Sequence, residues 1–182
     1  MLGPTLTGQS VTLGPMAPEH LENYCRWFAD PEVTRYLARD TPPSLREEQA
    51  WFDRVVASES DVVWGLFAEG QHIGSTGLHQ IAWRHRRALT GTLIGDKTRW
   101  GRGIATEAMR LRTRYAFEEL GLEKLITQVV EGNVASRQAL ERVGYRTVGV
   151  HRRHEFRHGR WFDVWIGELL REEWSAQGPP TG

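Results

Sequence analysis

The run Trp100-Gly101-Arg102-Gly103-Ile104-Ala105-Thr106 sets two glycines one residue apart, where a strand pattern gives way to an amphipathic helix pattern. Glycine tolerates left-handed backbone and lets a ligand approach the main chain, while the free amides and dipole of a helix start favour an anion. Upstream, Thr90-Gly91-Thr92-Leu93-Ile94-Gly95 reads as a strand; downstream, Ile104, Ala108, Leu111, Tyr115 and the stretch 117–120 recur at roughly helical spacing. The chain is thereby constrained to strand, glycine turn and helix in succession, with an anion site at the joint. Alone, a Gly-x-Gly before a helix is a weak signal, because a tight connection with no ligand needs the same residues.

Three phosphate-binding schemes compete for this loop. A nucleoside-triphosphate loop needs Gly-x-x-x-x-Gly-Lys-Ser/Thr, and no such run occurs. A dinucleotide fold wants Gly-x-Gly-x-x-Gly and an acid after the next strand; Glu131 imitates that acid, but Thr106 stands where the third glycine belongs and a large folded region precedes the loop. The third scheme binds coenzyme A. Two later segments bear on it: Asn133-Val134-Ala135-Ser136 with Leu140 and Gly144-Tyr145, and the tail 158–164 (His-Gly-Arg-Trp-Phe-Asp-Val) followed by Leu169-Leu170-Arg171-Glu172-Glu173-Trp174.

With these three segments in order, the whole chain resembles the GCN5-related N-acetyltransferase superfamily, and within it the Rim-type acetyltransferases of ribosomal-protein N-termini. The resemblance implies an α/β (α+β) domain whose mixed sheet of about seven strands splays at its centre to admit pantetheine. It implies acetyl-CoA as co-substrate, no metal, and an amine acceptor, foremost a protein N-terminal α-amine, with a polyamine or aminoglycoside as the small-molecule alternative.

Composition suits such an enzyme. The 182 residues, 40% hydrophobic and 25% charged, fit one domain over 1–176 with a flexible tail at 177–182. Lys+Arg and Asp+Glu both total 23, so no bulk attraction to nucleic acid or membrane is indicated. Lone Cys25 excludes an internal disulfide. No apolar run approaches the roughly 18 residues of a spanning helix, and no secretory pattern opens the chain, so cytoplasmic residence is expected. A homodimer is compatible with such a domain.

Val11–Leu13 reads as a first strand. Leu21, Tyr24, Cys25 and Phe28 make one helix face, and Ser44-Leu45-Arg46-Glu47 has capping-box spacing ahead of Trp51, Phe52, Val55 and Val56. Asp61–Ala68 and His72–Ile81 form a hairpin about Glu69-Gly70, and Leu89–Ile94 is the next strand. Helix 104–121, strand 124–131, helix 134–143 and a hairpin turning at residues 158 and 159 complete the order β-αα-βββ-α-β-α-ββ.

Coenzyme A needs amides for its pyrophosphate, a strand edge for its arm and a directed nucleophile at its thioester. By resemblance, Arg99, Trp100, Gly101, Arg102, Gly103, Ile104, Ala105 and Thr106 form the pyrophosphate cradle, with positive charge from Arg99 and Arg102. Leu93, Ile94 and Gly95 offer backbone to the arm. Asn133 caps the helix that follows it and reaches the arm as well. Relatives place a tyrosine seven residues after this asparagine as acid for the thiolate; Leu140 stands there, and Ser136 is the substitute. Relatives also place a glutamate on the strand before the glycine loop, which here reads Thr90-Gly91-Thr92. Glu155 is the first alternative base, through a water, as in Rim-type enzymes; His79, His151, His154 and Glu131 are further candidates. Trp51, Trp83, Trp161 and Phe162 are candidate cleft aromatics, and Arg84-His85-Arg86-Arg87 is a basic loop suited to an acidic acceptor or to a solvated turn. A dinucleotide-dependent oxidoreductase and a non-catalytic acyl-CoA sensor are the competing classes.

Overall fold

The computed structural model describes residues 1–37, 41–157 and 159–176; within them eight strands form one sheet. The elements in chain order are β1 (Leu6–Thr7), β2 (Thr12–Gly14), α1 (Leu21–Phe28), α2 (Pro31–Thr34), α3 (Leu45–Ala57), β3 (Val62–Ala68), β4 (Gln71–Ala82), β5 (Arg87–Ile94), α4 (Ile104–Glu118), β6 (Lys124–Val130), α5 (Val134–Val143), β7 (Arg146–Arg157), β8 (Arg160–Leu170) and α6 (Arg171–Ala176). The sheet runs β1-β2-β3-β4-β5-β6-β8-β7. The expected seven strands become eight because the chain before Gly8 doubles back, pairing Leu6 with Leu13. Helix α2 was also unread; Asp30 caps it through the Glu32 amide, with Pro31 at its first position. The 104–121 helix stops at Glu118, short of Gly121, whose φ is +63°. The expected tail at 177–182 lies outside the described residues.

Period-two burial sorts the side chains to the two faces of the sheet. On β3, Val62, Trp64 and Leu66 join the cluster that packs α4 and α5, while Val63 joins the smaller one under α1 and α3. The four apolar positions read on α1 are partly corrected, since Leu21, Tyr24 and Trp27 are its fully buried residues. The capping box of α3 forms as read, Ser44 and Glu47 each bonding the other's amide.

The functional consequence lies between β5 and β6. These parallel strands pair from Arg87↔Lys124 to Thr90↔Thr127 and then part. Beyond that point β5 stays with β4 as far as Gly74↔Ile94, and β6 with β8 as far as Val130↔Val164. The sheet forks. Just past the fork, the Gly91 carbonyl accepts from Arg112 Nη1 at 2.9 Å and Thr76 Oγ1 at 3.0 Å, from α4 and β4.

Candidate active site

A cavity of about 730 Å³ occupies the fork and reaches both faces of the sheet. On the α4 and α5 side its walls include Met109, Arg112, Asn133, Ser136 and Leu140; on the α1 and α3 side they include Tyr24, Glu48, Trp51 and Arg54. The strands contribute Leu93 and Gly91 from one prong, Gln128 and Val130 from the other.

The glycine cradle stands at the start of α4. Gly103 is the N-cap in left-handed conformation with no side-chain cap, and Gly101 has φ +73°. A Cβ added at either would meet nothing within 4 Å, so the approach to the first helical amides is open. The Trp100 indole ties the loop to the end of β5, donating to the Ile94 carbonyl at 2.8 Å. Ile104 points into the core, so its contribution is its backbone; Ala105 and Thr106 are half-buried, and Arg102 is exposed. Arg99 does not stand free, being paired with Glu69 at 2.8 Å, which raises its pKa. Gly95 is buried against Trp27 and donates to the Ile73 carbonyl at 2.9 Å. Cradle and cavity are joined by α4 itself, because Met109 lies only about 8 Å along the helix axis from Ile104.

Asn133 Oδ1 accepts from the Ser136 amide at 3.3 Å, the expected capping bond, and both side chains stand on the cavity wall with buried Leu140. Glu155 also reaches the cavity and is ion-paired with Arg157, whose Nη1 donates to the Leu37 carbonyl at 2.6 Å. The other carboxylate and two of the three candidate histidines separate from the cavity. Glu131 is exposed, and His151 and His154 are exposed with rings 4.8 Å apart; no metal-binding group forms among the described residues. Of the aromatics, Trp51 lines the cavity, whereas Trp83 bonds the Glu59 carbonyl at the surface and Trp161 stacks on Phe156. Phe162 is buried beside Val130 and Val164. The basic loop turns at Arg86, φ +48°, next to Glu123. Residue 158 of the tail motif lies outside the described residues.

Two features escaped the sequence reading. Arg112 is fully buried, and its guanidinium reaches the oxygens of Thr76, Thr92, Gly91 and Tyr145 within 2.9–3.5 Å. Its Nε has no hydrogen-bond partner, and burial lowers its pKa. Second, although His79 is among the expected candidate bases, its partner is not: the imidazole, half-exposed on the cavity wall, bonds Asp61.

Known proteins resemble this chain in the same terms. The family described as "Acetyltransferase (GNAT) domain" matches residues 10–146. The chain is 29% identical over 186 residues to "Uncharacterized N-acetyltransferase p20" of Bacillus licheniformis, spanning 94% of this chain and 99% of that protein. It is 32% identical over 124 residues to "Putative ribosomal N-acetyltransferase YdaF" of Bacillus subtilis (strain 168), covering 68% and 67% of the two. Spermidine N(1)-acetyltransferase of Escherichia coli (strain K12) is 27% identical over 150 residues, 82% of this chain and 80% of its own. In fold alone, the structure of spermidine N-acetyltransferase from Vibrio cholerae in complex with CoA and spermine matches with TM-score 0.85 over 92% of this chain and 99% of that one, at 20% identity.

Proposed function

The chain belongs to the GNAT acetyltransferase family and is an N-acetyltransferase that uses acetyl-CoA, and from that premise we propose that its acceptor is a protein N-terminal α-amine, as in the Rim-type branch. The observation that carries the reading is the forked sheet, whose cavity opens to a cofactor side and an acceptor side at once.

Acetyl-CoA supplies the acetyl group as an activated thioester. The open amides of α4, framed by Gly101 and Gly103, take the pyrophosphate, with exposed Arg102 as counter-charge and Trp100 and Arg99 holding the loop in place. Leu93 lines the path of the arm, whereas the Ile94 carbonyl and the Gly95 amide are already bonded to Trp100 and Ile73, and Asn133 contacts the arm while capping α5. Ser136 supplies the proton that the departing thiolate needs. On the acceptor side, Glu155 receives the ammonium group as an ion-pair partner.

The charge of the cavity supports a single-amine acceptor. Its wall carries Glu47, Glu48 and Glu155, but also Arg54, Arg112 and Arg157. A polyamine calls for an excess of carboxylates, and the described residues of this wall have none. The similarity to a protein named as a ribosomal acetyltransferase points the same way; the relative named for spermidine supports the second reading. Thiol release from acetyl-CoA, measured with peptides of varied N-terminal residue, spermidine and aminoglycosides, decides between them. Peptide α-amines are expected to be the best substrates. Spermidine outpacing every peptide would transfer the assignment to polyamines, and binding of NAD without binding of CoA would sink the whole reading.

A further inference from the structure

An amine nucleophile must be deprotonated, and β5 carries no group for the purpose: Arg87–Ile94 reads RALTGTLI, without carboxylate or imidazole. One strand over, His79 of β4 lies with Nδ1 3.3 Å from Asp61 Oδ1. Asp61 is itself fixed by the Ser58 hydroxyl at 2.6 Å and the Gln80 amide at 3.2 Å. Gln80 has φ +50°, in the irregular stretch where the β4–β5 register shifts between His79 and Ala82. That bulge aims the imidazole along the strand toward the fork.

The ring has a bed made for it. Gly77 and Gly91 are register partners on β4 and β5, and paired glycines in the middle of a sheet weaken it unless something needs the room. A Cβ at Gly77 would clash at 2.6 Å from His79 Nε2, whereas one at Gly91 would meet it at an ordinary contact of 3.6 Å, which places the ring beside both strands. Gly91 is the first β5 residue past the last β6 pair, Thr90↔Thr127. Nε2 therefore sits where the sheet opens.

We infer that His79 is the catalytic base, its Nε2 taking the proton from the acceptor ammonium while Asp61 serves as positioning residue. The inference rests on the acetyltransferase reading above. The bond to Asp61 assigns the hydrogen to Nδ1, leaving the Nε2 lone pair for the amine. Asp61 before β3 and Arg112 from α4 across the sheet act on the ring, and the cavity it lines also carries Glu47, Glu48 and Arg54 of α3 and Glu155 and Arg157 of β7. Burial holds the His79 pKa below its ordinary value; Asp61 opposes that shift and Arg112 adds to it. The ring is thus neutral at pH 7.

The step balances. Nε2 removes one proton from R–NH3⁺, and the freed nitrogen bonds to the acetyl carbonyl carbon. The carbon–sulfur bond breaks, and the thiolate receives, through the Ser136 hydroxyl, the second proton that the nitrogen sheds. The imidazolium returns its proton to water, since 39% of the His79 side chain is exposed. Glu155, held by Arg157, binds the ammonium before the proton moves.

Two measurements on the full chain test this. Histidine ¹⁵N NMR, assigned with His79→Gln, should find His79 neutral and carrying hydrogen on Nδ1 at pH 7; an imidazolium or an Nε2–H tautomer there would overturn the assignment, whatever the acceptor. In kinetics with the best amine from the panel, His79→Gln should lower kcat by roughly 10²–10³-fold with KM for acetyl-CoA unchanged, and erase the acid limb of the pH profile. His79→Asn keeps a donor to Asp61 and should lose the same activity. Asp61→Asn should move the acid limb to lower pH, and Glu155→Gln should raise the amine KM without touching that limb. Wild-type turnover in the folded His79 variants overturns the base; absence of turnover with every amine in the wild type instead fails the acetyltransferase reading.

Discussion

Gly103→Ala separates the stability of the fold from the capacity of the cradle. Gly103 has φ +79° and no atom within 4 Å of an added Cβ. The cost to the fold is therefore that of an L-residue held left-handed, about 1–2 kcal/mol. Gly121, beyond the other end of α4, has φ +63° and equally open surroundings, so Gly121→Ala bears the same cost far from the cradle. If the α4 amides hold the pyrophosphate, a methyl group in front of them breaks a hydrogen bond to a charged group worth about 1.5–3 kcal/mol. That converts to a CoA Kd weaker by roughly 10- to 150-fold. Calorimetric titration with CoA and thermal melts of both variants measure the two effects. Equal melting temperatures with weakened CoA binding in Gly103→Ala alone are expected; wild-type affinity in both variants would refute the cradle.

His72 gives a pH dependence of stability. Burial, with His20 beside it, lowers its pKa from 6.5 to about 4. The unfolded chain takes up the proton first, so falling pH favours unfolding between those values; from pH 7.5 to 5 about 2 kcal/mol should be lost, and His72→Gln should flatten this slope in urea denaturation. At Gly95, a Cβ would stand 2.0 Å from the Trp27 ring. Gly95→Ala should therefore destabilise the fold by about 1–3 kcal/mol, read as a lower denaturation midpoint, and an unchanged midpoint would contradict the packing. Asn133→Ala removes the cap on the Ser136 amide, an expected loss of about 1 kcal/mol that Asn133→Asp should restore, together with weaker CoA binding read by titration.

What the sequence discloses here is what local chemistry decides. The capping box at Ser44 and Glu47, the turn at Glu69 and Gly70 and helix 134–143 all depend on residues within one turn of one another, and each formed as read. The cap of α2 at Asp30-Pro31 was equally local and went unread. Arg112 was out of reach. It sits in the alternation Arg110, Arg112, Arg114, where helical geometry buries only the middle one, and which arginine turns inward depends on the sheet beneath. The His79–Asp61 pair spans a hairpin strand and owes its alignment to a bulge at Gln80. No spacing rule announces such a pair. The fork is expected only from the family resemblance, because Leu89–Ile94 and the strand 124–131 both read as complete strands and nothing local says where they part.

One buried charge stands beside both the fork and the histidine. A guanidinium surrounded by neutral oxygens, with no carboxylate within 4.0 Å among the described residues, is a poor source of stability, and an apolar side chain of similar volume would avoid its desolvation. Packing alone therefore does not account for Arg112. Its effects at the site do. It bonds the Gly91 carbonyl at the first position beyond Thr90↔Thr127, where the two parallel strands no longer pair. Burial is the main cause that disfavours the imidazolium form of His79, and the Arg112 charge, acting across the sheet, adds to it. A strand edge left open for the acetyl donor and a neutral base for the amine are two conditions direct transfer requires, and Arg112, two turns along α4 from the glycine cradle, lies next to the first and contributes to the second.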